Sequence, residues 1–133
     1  MTEKAEDEHS ILLVEDNMLN ELVAMGMLRL LDRTADVVVN GLQAVDTLHR
    51  RRYDIVLMDI QMPVMDGLTA TRRIRAELAP DQQPYIIALT SNAMAGDEQR
   101  CLEAGMDAYL SKPFSKEQLG SALAKAGGRP VSS

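Results

Sequence analysis

The sequence predicts an α/β domain in which a doubly wound, five-stranded parallel sheet carries helices on both faces. Short apolar runs, typical of strands buried on both sides, alternate with segments whose apolar residues recur every three to four positions, as in helices. Several of the apolar runs stop at a charged or hydroxyl side chain. The length of 133 residues, 46% of them hydrophobic, fits a single domain.

The strands and helices follow in strict alternation. We predict strands at residues 10–16, 35–39, 53–59, 84–90 and 107–111. The helices are expected to begin at Asn17, to follow the Asn-Gly turn at 40–41, to run from Gly67 to before residue 79, to cover 94–105, and to follow a Ser115 cap. Residues 1–9 are predicted to be a disordered segment, residues 10–126 the domain, and residues 127–133 a flexible tail.

Each predicted helix has an apolar face that should cover the sheet. These faces are Leu19, Leu22, Val23, Gly26 and Leu30 in the first helix; Ala44, Val45 and Leu48 in the second; Gly67, Ala70, Thr71, Ile74 and Leu78 in the third; and Leu119, Ala122 and Leu123 in the last.

Composition excludes several classes of protein. A net charge of −6 argues against a nucleic-acid-binding surface, which needs clustered Lys and Arg. The single cysteine, Cys101, cannot form an internal disulfide. No apolar stretch is long enough for a membrane span, and the acidic start lacks the features of a signal peptide. We therefore expect a cytoplasmic protein without membrane insertion.

Complementary side chains collect where the strands end. In a doubly wound sheet, ligands bind beyond the carboxyl ends of the strands. The residues predicted there are Glu15, Asp16, Asp59, Thr90, Ser111 and Lys112. Adjacent carboxylates need a cation to remain ionised together, and Mg²⁺ is the natural one because it prefers oxygen ligands and accepts a phosphoryl oxygen.

Other chemistries fit these residues less well, although each residue alone has a plainer explanation as a cap, a strand residue or a surface charge. The first strand is followed by two acids rather than by a glycine-rich phosphate-binding turn, and the sequence has no P-loop. An aspartate-based phosphatase would need an acid where Gln61 stands. A carboxylate that accepts a phosphoryl group remains possible, as does a docking module whose acidic pocket binds only metal.

Four stretches resemble the response-regulator receiver domain of two-component signalling: ILLVEDN, DIVLMDIQMPVMDG, IIALTSNA and AGMDAYLSKPF. Their key residues, Asp16, Asp59, Thr90 and Lys112, follow one another at intervals of 43, 31 and 22 residues, as in that family. The resemblance covers residues from about Ser10 to about Ala126. It implies a flavodoxin-like sheet with strand order 2-1-3-4-5.

The resemblance also implies a role for each site residue. Asp59 would accept the phosphoryl group from phosphohistidine, so that the domain is a signalling phosphoacceptor rather than an enzyme acting on an external substrate. The Mg²⁺ ligands would be Asp16, Asp59, Glu15 through water, and the Gln61 carbonyl. Thr90 and Lys112 would contact phosphoryl oxygens, and Thr90 with Tyr109 would form the switch. Pro113 would follow a cis peptide bond.

Partners are implied in the same way. The residues of the motifs are most similar to those in receivers of hybrid sensor histidine kinases. The resemblance therefore implies that a sensor histidine kinase or a histidine phosphotransfer domain donates the phosphoryl group. A downstream protein would meet the surface of the fourth helix and fifth strand, from about Met94 to Tyr109. Ser91 and Val38 depart from the family's usual alanines, and no glycine follows the first helix.

Overall fold

The five-stranded parallel sheet expected from the alternation is present. A computed structural model of the chain describes residues 10–90 and 96–127. The strands lie in the order β2-β1-β3-β4-β5, and every neighbouring pair is parallel. Numbered along the chain, the strands are β1 (Ile11–Val14), β2 (Asp36–Val38), β3 (Ile55–Asp59), β4 (Tyr85–Thr90) and β5 (Ala108–Ser111).

Helices connect consecutive strands and complete both faces of the sheet. They are α1 (Met18–Leu30), α2 (Gly41–Arg50), α3 (Gly67–Glu77), α4 (Asp97–Ala104) and α5 (Lys116–Gly127). A short 3₁₀ turn over Pro80–Gln82, absent from the sequence prediction, lies between α3 and β4. None of the helices within the described ranges is long and apolar enough to cross a membrane.

Alternate residues of each strand point to two separate cores, because side chains in a strand alternate between its faces. Leu12, Val56 and Ile86 pack on one face with side chains from α2, α3 and α4. Leu13, Leu57 and Ile87 pack on the other face with side chains from α1 and α5. The three central strands are thus covered on both faces, as their continuous apolar runs indicate.

Three of the four predicted helix faces are correct, and that of α1 is wrong. The predicted residues of α2 and α5 are buried, as are those of α3 with its C-cap Leu78. In α1, Ala24 and Leu28 are buried instead. The large predicted side chains, Leu19, Leu22, Val23 and Leu30, are between 48% and 72% exposed. The helix has apolar residues on two sides, so its periodicity alone selects neither.

Short polar side chains fix where the helices begin. The side chains of Asn17, Asn40 and Asp66 each accept a hydrogen bond from a backbone N–H three residues later. Ser115 and Gln118 form a reciprocal capping box before α5, with bonds of 3.0 and 2.8 Å. These caps place the first turns of α1, α2, α3 and α5 directly beyond the preceding strand or loop.

Several predicted boundaries shift by a few residues. The strands are shorter than predicted, and Glu15 and Asp16 stand just beyond β1 rather than within it. The predicted start of the fourth helix at residue 94 lies outside the described residues, as do segment 1–9 and the tail from residue 128. The last helix includes Gly127, which was assigned to the tail. Gly105 ends α4 in the left-handed conformation that was predicted, with φ 109°.

Candidate functional site

A basic and two acidic side chains meet at the carboxyl ends of three strands. The Lys112 Nζ lies 2.9 Å from Glu15 Oε1 and 3.4 Å from Asp59 Oδ2. Glu15 follows β1 and Asp59 ends the neighbouring strand β3, since Val14 of β1 pairs with Met58 of β3. Glu15 is 2% exposed and Asp59 5%. Residues separated by up to 97 positions in the chain therefore form one compact charged cluster.

Asp16 adds a third carboxylate at the exposed side of this cluster. One carboxylate oxygen from each of Glu15, Asp16 and Asp59 lies within 4.8 Å of the other two. Glu15 and Asp59 are buried and Asp16 is exposed. Three carboxylates that converge from the carboxyl ends of two strands, with that of Asp16 open to solvent, fit a hard divalent cation such as Mg²⁺, which prefers oxygen ligands and retains water.

The surroundings of Asp59 change its acidity. Burial and a hydrogen bond with the Glu15 carboxyl raise the pKa of Asp59 from 3.8 to about 6, while the Gln61 N–H and the Lys112 ammonium act in the opposite direction. The Gln61 backbone N–H donates to Asp59 Oδ1 at 3.0 Å. At neutral pH the Asp59 carboxylate is thus ionised, but Lys112 and the Gln61 N–H do not fully offset the unfavourable effects of burial and of Glu15. Binding of a cation beside it would therefore be favoured.

Thr90 and Lys112 are brought to the same end of the sheet. Thr90 is the last residue of β4, is fully buried, and pairs in register with Ser111 of β5. The Lys112 backbone N–H donates to the Thr90 carbonyl oxygen at 2.6 Å. The peptide bond between Lys112 and Pro113 is cis, the isomer that the resemblance implied.

Tyr109 precedes Lys112 by three residues and lies beside the site rather than in it. It belongs to β5, is partly exposed, and packs against the core on the face that carries α2, α3 and α4. Gln61 is exposed in the loop after β3. The structure thus gathers Glu15, Asp16, Asp59 and Lys112 closely. The Gln61 N–H bonds Asp59, Thr90 is buried at the end of β4, and Tyr109 lies in β5 beside these residues.

Two residues, Asn17 and Gly67, support the site through contacts that were not predicted from the sequence. The Asn17 backbone N–H donates to Glu15 Oε2 at 3.3 Å, while its side chain caps α1. A Cβ at Gly67 would lie 2.4 Å from the carbonyl oxygen of Asp59, so only glycine permits this approach of α3 to the end of β3. Asn before a helix and Gly after Asp66 were the available sequence signals.

The chain matches a family model described as "Response regulator receiver domain" over residues 11–124. Two curated relatives are hybrid signal transduction histidine kinase K from Dictyostelium discoideum and the sensor protein GacS from Pseudomonas syringae pv. syringae. They are 38% and 41% identical over 87% and 86% of this chain. The matched parts are only 10% and 13% of those relatives, so the chain spans a small fraction of their length.

Solved structures show the same likeness. The receiver domain of the sensor histidine kinase PA1611 from Pseudomonas aeruginosa PAO1, with a magnesium ion coordinated in its active-site cleft, is 48% identical. It covers 91% of this chain and 98% of its own, with a TM-score of 0.81. The receiver domain of Ssk1 from Saccharomyces cerevisiae, crystallised with the histidine phosphotransfer protein Ypd1, is 25% identical. It covers 97% of this chain and 95% of its own, with a TM-score of 0.83.

Proposed function

Since this chain belongs to the response regulator receiver family and is a phosphoacceptor domain of two-component phosphorelay signalling, we propose that Asp59 accepts the phosphoryl group. The observation that carries the proposal is the position of this carboxylate. Asp59 ends the central strand β3, it is buried beside two further acids, and Lys112 lies 3.4 Å from its Oδ2. No other acid in the described residues combines these features.

The transfer needs little covalent chemistry from the protein. A carboxylate oxygen of Asp59 attacks the phosphorus of a phosphohistidine, a P–O bond forms, and the P–N bond breaks. The imidazole nitrogen keeps the electron pair and takes up a proton. Lys112, already held at the site by Glu15, supplies positive charge where the phosphoryl oxygens gather. The hydroxyl of Thr90 donates a hydrogen bond to one of these oxygens.

The carboxylate cluster is the proposed Mg²⁺ site. Asp16 and Asp59 would bind the ion directly, Glu15 through water, and Gln61 through its main-chain carbonyl. A bound divalent ion neutralises charge on the phosphoryl oxygens. Without it, Asp59 retains only the attraction of Lys112 and the Gln61 N–H against burial and the neighbouring Glu15.

The proposed switch links Thr90 to Tyr109. Thr90 would move toward the phosphoryl group and Tyr109 would turn inward, which shifts the population of conformations of the surface of α4 and β5. That surface, from about Met94 to Tyr109, is the proposed contact for a downstream protein. The donor is a sensor histidine kinase or a histidine phosphotransfer domain. A cytoplasmic location and domain limits at residues 10–126 remain predictions.

Intact-mass measurement after incubation with acetyl phosphate tests the proposal directly. We expect a single phosphoryl adduct that requires Mg²⁺ and is lost in Asp59→Asn. Asp66→Asn is the matched control, because Asp66 is an exposed helix cap nearby and Asn caps a helix equally well. This control should acquire the adduct as the unchanged protein does.

An adduct retained by Asp59→Asn would disprove the assignment of the acceptor. A protein that binds Mg²⁺ but acquires no adduct from acetyl phosphate or from a phosphorylated phosphotransfer domain would favour a docking module that works without phosphorylation. Release of phosphate from small phosphoesters by the unchanged protein would instead indicate a phosphatase.

A further inference from the structure

The loop between β3 and α3 contains a valine in a conformation that its side chain disfavours. The Met65 N–H donates to the Pro63 carbonyl oxygen at 2.7 Å, which closes a three-residue γ-turn around Val64. Val64 has φ 70°, in the left-handed region, where β-branched residues are rare. Its side chain is 77% exposed, so burial does not compensate for this conformation. Contacts elsewhere must therefore hold the loop in place.

Gly41 makes such a contact from the turn between β2 and α2. Its backbone N–H donates to the Met65 carbonyl oxygen at 3.1 Å. A Cβ at Gly41 would lie 2.5 Å from the same oxygen and 3.0 Å from the Cβ of Ala70. Because the nearest of these atoms belongs to the backbone, a side chain at this position does not fit unless the loop moves. The turn and the loop are thus in direct backbone contact.

The turn that carries Gly41 is itself held by two hydrogen bonds. The Gln43 N–H donates to Asn40 Oδ1 at 2.8 Å, and the Val39 N–H donates to Gln43 Oε1 at 3.1 Å. This arrangement is similar to a capping box and fixes the first turn of α2. Since α2 also buries its apolar face in the core, the position of Gly41 is set by the helix and not by the loop. The contact therefore constrains the loop.

The constrained loop carries Gln61 to the phosphoacceptor site. Gln61 is two residues before Pro63, and its N–H donates to Asp59 Oδ1 at 3.0 Å. The proline fixes its own φ, and the γ-turn follows it directly, so the segment from Gln61 to Met65 has little freedom. A displacement of the Met65 carbonyl would therefore be passed back to Gln61, whose main-chain carbonyl is a proposed Mg²⁺ ligand.

We infer that Gly41 is a positioning residue for Mg²⁺ binding. Its contact with the Met65 carbonyl holds the loop in the conformation from which the Gln61 carbonyl serves the metal site. The inference rests on the proposed function, since it concerns the metal site beside Asp59. The atoms nearest to the Cβ position of Gly41 belong to the loop and to α3, so Gly41 acts through the loop. A merely structural role would affect stability alone, whereas a positioning role also affects the affinity for Mg²⁺.

The test compares two substitutions in this contact with one at a distant glycine. Gly41→Ala places a methyl group against the Met65 carbonyl oxygen and forces the loop to move, although alanine favours the helix that begins there. Val64→Gly relieves the left-handed conformation but allows the loop to adopt others. Gly105→Ala is the matched control. With φ 109° and a Cβ position 2.8 Å from Arg75 Cγ, it should destabilise the end of α4 without contacting the loop.

Calorimetric titration with Mg²⁺, at a temperature where the variants are folded, measures the affinity. We expect the Kd for Mg²⁺ to rise about tenfold in Gly41→Ala and about threefold in Val64→Gly, and to stay unchanged in Gly105→Ala. At saturating Mg²⁺, labelling of all three variants by acetyl phosphate should stay within about twofold of the unchanged rate. Urea unfolding should show lower stability for Gly41→Ala and Gly105→Ala, and equal or higher stability for Val64→Gly.

Two results would overturn the inference. One is an unchanged Mg²⁺ affinity in folded Gly41→Ala. The other is an equal loss of affinity in Gly105→Ala, because the effect would then follow from stability. If Gly41→Ala does not fold, Val64→Gly decides, and a Kd equal to that of the unchanged chain would overturn the inference. Failure of the unchanged chain itself to bind Mg²⁺ or to be labelled by acetyl phosphate would instead count against the proposed function.

Discussion

The side chain of Asp59 is ionised at neutral pH, although burial and the neighbouring Glu15 both raise its pKa. Its pKa is about 6 in the folded protein and near 3.8 when unfolded, so the folded state binds more protons between these values. The free energy of unfolding should therefore fall as pH rises from about 4 to about 6, and the penalty should be fully present above pH 6. The carboxylate that makes the site reactive is thus also a source of instability in the metal-free protein.

Asp59→Asn should accordingly stabilise the metal-free protein. At pH 7.5 with a chelator we expect its free energy of unfolding to exceed that of the unchanged protein by roughly 1–3 kcal/mol, and the difference should shrink toward zero near pH 4. Urea unfolding at both pH values measures this. Asp66→Asn, at an exposed position, should show no comparable pH-dependent gain. Equal stability of Asp59→Asn and the unchanged protein at pH 7.5 would contradict the raised pKa.

Thr71 is a buried hydroxyl without a hydrogen-bond partner among the described residues. It lies fully buried on α3, and its Oγ1 is unsatisfied. Thr71→Val keeps the shape and removes the hydroxyl, so we expect stability to be unchanged or to increase by about 1 kcal/mol. Thermal unfolding tests this. A loss of more than about 1 kcal/mol would mean that the hydroxyl has a partner, such as a water molecule.

Helix α1 ends without the glycine that usually closes such a helix. The Arg33 N–H donates to the Leu28 carbonyl at 2.7 Å and the Asp32 N–H to the Arg29 carbonyl at 3.0 Å. This is a Schellman motif with Asp32 in the left-handed position, at φ 60°. A C-terminal cap therefore forms although the sequence has no glycine at this position. Asp32 instead adopts a conformation that L-residues disfavour.

Asp32→Gly should relieve this conformation and raise the free energy of unfolding by about 1 kcal/mol. Asp46→Gly is the matched control, since Asp46 is exposed in the middle of α2, where glycine should cost about 1 kcal/mol. Chemical unfolding of the two variants should therefore give shifts of opposite sign. Two shifts of the same sign would contradict the explanation.

Arg75 ties α3 to the start of β4 and the end of α4. Its guanidinium donates to the carbonyl oxygens of Gly105 and Pro84 at 2.8 Å, to Gln83 Oε1 at 2.8 Å, and to Asp107 Oδ2 at 2.7 Å. Because one side chain satisfies four acceptors in two segments, 83–84 and 105–107, its loss leaves several polar groups unpaired at once. The C-terminal end of α4 and the residues that lead into β5 are thereby fixed to the rest of the domain.

Arg75→Met should lower the free energy of unfolding by about 2–4 kcal/mol through these unpaired acceptors. Arg72→Met, three residues earlier on the exposed side of α3, should change it by less than about 0.5 kcal/mol. Urea denaturation distinguishes the two. If both variants lost the same stability, the effect would reflect the change of charge rather than the network.

At the scale of the whole molecule, Mg²⁺ should act as a stabilising ligand because the carboxylate cluster exists only in the folded state. At a free Mg²⁺ concentration ten times Kd the gain is about 1.4 kcal/mol, which raises Tm by a few degrees. Asp16→Asn removes the exposed carboxylate of the cluster and should abolish most of this rise. Asp46→Asn is the control for non-specific screening of protein charge by Mg²⁺, because Asp46 is an exposed acid in the middle of α2 and does not belong to the cluster. An undiminished rise in Asp16→Asn would contradict the metal site.

The sequence by itself determined the alternation of strands and helices along the chain, the last residues of three of the five strands (Asp59, Thr90 and Ser111), and most helix limits. It could do so because these features depend on local periodicity and on capping residues such as Asn40 and Ser115. They also depend on motifs whose spacing is the same as in the family that the chain resembles. The same local rules placed Asp59 at the end of β3. The supporting contacts of Asn17 and Gly67 were not predicted, since they depend on how close two segments approach in space.

Only the tertiary structure decided which side of α1 is buried. Both sides have apolar residues at helical spacing, so the hydrophobic pattern is satisfied either way. The side with small Ala24 and with Leu28 packs on the sheet beside α5, where Leu31 comes close to Gly120, and the larger side chains are left outside. Burial there is decided by the shape of the neighbouring elements, which no window of sequence contains.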